Sequence, residues 1–146
     1  MRNDFFAGFT GNKEAMAEMD KAVALEPDHI GVRIPRGAIL LTATMSQPMD
    51  DRVRGEVKRG IEDSQRAYDL QKDSLSSLGE HPLGQLLMDL GNAYSRVGEN
   101  EKAKSYFDQI DQLIPKSVYA KRAAAWRQNG KLTMQEGACI GCHVSK

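Results

Sequence analysis

The clearest periodicity in the chain runs from Gln85 to Pro115, QLLMDLGNAYSRVGENEKAKSYFDQIDQLIP. Apolar residues recur there at three- and four-residue spacings, and strand-like alternation is absent along the whole sequence. Two amphipathic helices are predicted. The first carries Leu87, Leu90 and Tyr94; the second carries Ala103, Phe107 and Ile110. Gly98 and Asn100 mark the turn between them, with Asn100 as N-cap of the second helix. Pro115 cannot continue that helix. Ser117 to Gln128 then reads as a further helix, with Tyr119, Ala123 and Trp126 on related faces.

A similar punctuation stands at the front. Gly11-Asn12-Lys13-Glu14-Ala15 echoes the stretch from Gly98 to Ala103, and Met19, Ala22 and Pro27 take the places of Phe107, Ile110 and Pro115. This predicts a short helix bearing Phe5, Phe6 and Phe9, a turn at Gly11-Asn12, and a second helix from Lys13 to Leu25. The three phenylalanines either pack on that second helix or form an apolar surface for another chain. The middle is less regular. Pro35 to Met45 reads as a helix with proline near its first turn. Gln47-Pro48 breaks it, and Asp50 or Asp51 caps a longer helix carrying Val53, Val57, Ile61 and Tyr68. The interval from Pro27 to Pro115 exceeds two 34-residue units by about 20 residues. The surplus is expected between Asp63 and Glu80, where Ser74, Ser76, Ser77 and Gly79 read as loop.

The Gln85 to Pro115 unit resembles a tetratricopeptide repeat. Leu90-Gly91 and Tyr94 match its first helix, Ala103 and Phe107 its second, and Pro115 its closing proline. Leu87 and Ile110 stand where the family often has Trp and Ala, and both remain apolar. The resemblance implies an all-α fold, an antiparallel helix-turn-helix array over residues 1–128 that includes a capping helix. It also implies a scaffold suited to protein partners, without naming one.

Charge narrows the partners. Twenty basic residues balance twenty acidic ones, so no strong field favours nucleic acid. The longest apolar run, Ala38 to Ala43, is too short for a transmembrane segment. There is no Ser-His-Asp constellation and no phosphate loop, and the Asp50-Asp51 pair reads as a helix start; an enzyme is not expected.

Specific chemistry is concentrated in residues 129–146. Cys139, Ile140, Gly141, Cys142 and His143 spell C-x-x-C-H and contain both cysteines of the chain. That is the attachment pattern of c-type haem. Other readings are a thioredoxin-like pair, a zinc site needing a fourth ligand such as His29 or His81, a short-loop disulfide, or two free thiols. Through these five residues the tail resembles c-type cytochromes. The resemblance implies one haem c per chain, thioethers at Cys139 and Cys142, and His143 as proximal iron ligand. Haem of this kind is attached outside the cytoplasm, so a periplasmic or extracellular location is expected. No signal peptide is visible, which predicts a mature product from which the export signal has been removed.

The second axial position has few claimants. His29 and His81 are the other histidines, and Met88 and Met134 are softer candidates. Both histidines fall at one end of the predicted array, and the capping helix finishes at the other. Either the tail runs back, or the haem meets a histidine of a neighbouring copy in a head-to-tail contact that can propagate into a filament. The leading expectation is a monohaem electron-transfer protein on a tetratricopeptide-like scaffold, acting with a redox partner or with copies of itself. A protein resembling cytochrome c′, with an open site for gas, and a repeat scaffold without haem are the alternatives.

Overall fold

The chain folds into helices alone over residues 3–131, the part described by this computed structural model, with side chains described from Lys13 onward. The order is α1 (Asn3–Leu25), α2 (Ile30–Ala43), α3 (Asp51–Gln71), a 3-10 stretch (Lys72–Ser77), α4 (Glu80–Arg96), α5 (Asn100–Leu113) and α6 (Val118–Asn129). The fold is all-α. Among the described residues no helix is long and apolar enough to cross a membrane.

The α4–α5 pair lies where its periodicity predicts two helices, although α4 begins at Glu80, five residues before Gln85. Gly98 makes the turn at φ +85°, a backbone region that side chains disfavour. Gly91 brings the two helices together: a Cβ there would stand 2.5 Å from Phe107 Cε1. Phe107 is fully buried, and its ring centre lies 4.7 Å from that of Trp126 on α6. The Trp126 indole N–H donates to Ser95 Oγ at 2.8 Å, so both ends of that side chain are engaged in the core rather than presented to a ligand. Ser117 caps α6, accepting from the Ala120 amide at 3.1 Å. Gly130 ends the helix in the left-handed region at φ +70°.

Four local expectations need correction. No turn interrupts α1 at Gly11-Asn12; the helix runs through. One glycine costs a helix about 1 kcal/mol, and the Lys, Glu, Ala and Met residues that follow are strong helix formers. Next, α2 begins at Ile30, so Pro35 lies inside it rather than near its first turn. The surplus between Asp63 and Glu80 is mostly helical: α3 continues to Gln71, and Ser74, Ser76 and Ser77, expected in a loop, lie in a 3-10 stretch. Asn100 is the first residue of α5 and Glu99 occupies the N-cap. By contrast Asp50 caps α3, accepting from the Val53 amide at 2.7 Å.

Between α2 and α3 the packing is ionic. Asp63, with no exposed surface, accepts from Arg33 at 2.8 Å and from Arg36 at 2.7 Å through both carboxylate oxygens. Arg36 also reaches Asp20 on α1 at 2.9 Å. The hydrogen bonds that Arg36 donates to Asp63 hold its guanidinium above its ordinary value, more than burial lowers it. Arg96 fastens α4 to the end of α2 by donating to the carbonyls of Leu41 and Thr44.

Candidate functional site

Two parallel relationships set the geometry around the histidines. Arg96, at the end of α4, bonds the end of α2, whereas His81, Gln85 and Asp89 of α4 share a pocket with Ile34 and Ala38 of α2. Both helices therefore start at the same end of the molecule, which carries His29 and His81. Likewise Tyr119 at the start of α6 meets His81, and Trp126 further along it meets Ser95. Helix α6 thus runs alongside α4, and the chain leaves Gly130 near the opposite end. His81 and Ser95 are separated by about 21 Å along α4 at 1.5 Å per residue.

His81 is exposed on its surface side but oriented from within. Its Nδ1 lies 2.6 Å from the hydroxyl of Tyr119, a residue only 4% exposed. That closeness depends on Gly84, one turn along α4. A Cβ at Gly84 would lie 2.1 Å from Tyr119 Cδ2, so the ring occupies space that only glycine leaves open. Arg122 lies over the Tyr119 ring, its Cζ 5.5 Å from the ring centre, and brings a positive charge to this corner. The Nε2 of His81 has no hydrogen bond among the described residues. An imidazole held at one nitrogen with the other left open is the arrangement that fits an outward-facing metal ligand.

His29 is arranged differently. It is exposed, stands at the N-cap of α2 without a side-chain cap bond, and rests against Gly31. It faces an open depression with Glu26, Pro27, Asp28 and Ile30. Nothing among the described residues fixes its ring. Met88 is fully buried in the apolar core and could not reach a surface ligand without local unfolding. Cys139, Cys142, His143 and Met134 lie outside the described residues, as does the 132–146 part of the tail. Among the described residues, no group of three or more His, Cys, Asp or Glu side chains is placed to hold a metal ion.

Sequence reasoning missed Tyr119 as the partner of His81, because the contact spans 38 positions and leaves no local pattern. It also passed over Gln85 and Asp89, although His81, Gln85 and Asp89 recur at four-residue intervals on one face of α4. The amide of Gln85 donates to Asp89 Oδ1 at 2.7 Å. Burial pushes the Asp89 carboxyl up to about 7 against the opposing effect of that bond. Comparison of the chain with family models, with curated proteins and with solved structures finds no match.

Proposed function

We propose that this chain is a monohaem c-type cytochrome, an exported electron-transfer protein built on a helical scaffold of tetratricopeptide-like character. The observation that carries the reading is the tail sequence from Cys139 to His143, which gathers both thiols and a histidine in the attachment order. Haem c would supply a one-electron iron couple whose potential follows its axial ligands and surroundings. Cys139 and Cys142 would hold it covalently and His143 would take one axial position.

Of the two remaining histidines, His81 is the better second ligand. In the tautomer whose Nδ1–H donates to the Tyr119 hydroxyl, the Nε2 lone pair is free to bind iron. Arg122, beside Tyr119, suits a haem propionate. His29 has no comparable support.

A head-to-tail form of this reading draws on the separation along α4. The tail departs near the end opposite His81, so the haem would reach that histidine either by the tail running back or through His81 of a neighbouring copy. Such a contact is heterologous and repeats into a filament unless it closes. Spectra of the haem-loaded chain test the assignment. His81→Ala should convert a low-spin spectrum to high-spin, and His29→Ala should leave it unchanged. A low-spin spectrum retained in His81→Ala removes His81 from the iron. Sedimentation decides the head-to-tail form: a monomer that keeps the bis-histidine spectrum at low micromolar concentration excludes it.

A further inference from the structure

The groove between α2, α3 and α4, with His81 on its lining, forms a pocket of about 240 Å³. Ile34, Ala38, Leu78 and Leu86 give it apolar walls, and Gln85 and Asp89 supply polar groups. Its volume is below that of a pocket for a drug-sized ligand and suits a molecule the size of a side chain.

Two hydrogen-bond acceptors at this pocket lack donors. The carbonyl oxygen of Gln85 is buried and has no hydrogen-bond partner, the one such side-chain atom among the described residues. The Gln85 amide is already committed to Asp89 Oδ1. Among the described residues Asp89 Oδ2 has no donor, and no Lys or Arg pairs with this carboxyl. That is unlike Asp20, Asp28, Asp63 and Asp108, each of which meets a basic side chain. An acceptor buried without a donor costs free energy, and the half-buried Asp89 carboxylate, set beside apolar walls, is stabilised when a cation joins it.

We propose that this pocket binds a compact organic cation bearing several N–H donors, a guanidinium or primary ammonium on a short apolar stem. Its donors complete Gln85 Oε1 and Asp89 Oδ2, its charge neutralises Asp89, and its stem lies against Ile34, Ala38 and Leu86. The same chemistry is offered by a free small cation and by an arginine or lysine side chain of a partner protein. The inference does not depend on haem.

Calorimetric titration of the full chain at pH 8 tests it, with butylguanidinium as the probe. Tetramethylammonium provides charge without N–H donors, and butanol provides the stem without charge. Saturable one-to-one binding is expected for butylguanidinium alone. Asp89→Asn should weaken it about tenfold or more, and Gln85→Leu about threefold to tenfold, the ranges that a charged and a neutral hydrogen bond allow. Asn retains an acceptor for the Gln85 amide, so Asp89→Asn keeps its fold, which circular dichroism checks. The capped tripeptide Ala-Arg-Ala separates the sources. Binding at comparable strength assigns the pocket to a partner's side chain, and binding of butylguanidinium without the peptide assigns it to a free cation. The proposal is overturned by no saturable binding at 10 mM (about the weakest affinity a single charged contact gives), by equal binding of a control, or by an Asp89→Asn chain that binds as well as the parent.

Discussion

The α2–α3 contact and the α4–α5–α6 contact solve one problem with opposite materials. Each must hold helices side by side. Helices α4, α5 and α6 do it with Phe107, Trp126, Ile110 and the gap at Gly91, all apolar and closely packed. Helices α2 and α3 place Arg33, Asp63 and Arg36 at their centre, beside a smaller apolar cluster that includes Leu41, Val53 and Val57. Apolar packing is non-directional and tolerates some rearrangement. An ion triad with no exposed surface at its carboxylate is directional, and losing one member strands the others. The two halves should therefore fail in different ways.

Asp63→Ala gives the largest expected effect. It leaves two buried guanidiniums without their shared partner and should cost about 3–5 kcal/mol in a urea-unfolding series. Replacing the triad together, with Arg33→Met, Asp63→Leu and Arg36→Met in one chain, should cost far less or even stabilise, because buried charge itself is then removed. If the triple replacement is as damaging as Asp63→Ala, the contrast drawn between the halves is wrong. Phe107→Ala, on the apolar side, should cost about 3–5 kcal/mol as well, but with no such rescue by substituting its neighbours with charge.

Gly91→Ala comes next. Its Cβ would press into the Phe107 ring, and overpacking of this kind costs about 1–3 kcal/mol by the same unfolding measurement. The substitution Ser117→Ala removes the cap of α6 and should cost about 1 kcal/mol, the smallest loss among these.

Asp89 adds a pH arm. Its carboxyl titrates near 7 in the folded chain, well above its ordinary 3.8, so the folded state holds a proton that the unfolded chain gives up earlier. Its contribution to stability is therefore complete below about 4 and is lost as the pH rises toward 7. Asp89→Asn should remove that slope and raise stability at pH 8 by on the order of 2 kcal/mol. Thermal unfolding of both chains at pH 5 and pH 8 checks this; equal gains at the two pH values would contradict it.

The same contrast explains what the sequence reveals. The α4–α5–α6 half is legible because its apolar and small residues recur locally, and Leu90, Gly91, Tyr94, Ala103 and Phe107 all sit within two helical turns of a partner in the pattern. The α2–α3 half is not, because Arg33 and Arg36 on their own read as solvated surface. Only the fold brings Asp63, 30 and 27 positions away, between them. Pro35 misleads as well: local rules place a helix start there, whereas α2 begins at Ile30 and runs through it. At the candidate site, the histidines and the C-x-x-C-H tail are visible as letters. The hydroxyl that holds His81 is not, since Tyr119 gains that role through the space at Gly84.

The haem reading has one direct test. The full chain is produced in a host able to attach c-type haem, extracted with acid acetone, and its visible spectrum is recorded before and after reduction. A Soret band that survives extraction, with sharp reduced bands near about 550 nm, is the predicted result, the signature of covalent haem with two axial ligands. Broad, unsplit reduced bands would replace the second ligand with an open site and favour small-molecule binding. Loss of all absorbance to the acetone, or none at the outset, would contradict the account and leave the helical array as a scaffold without haem.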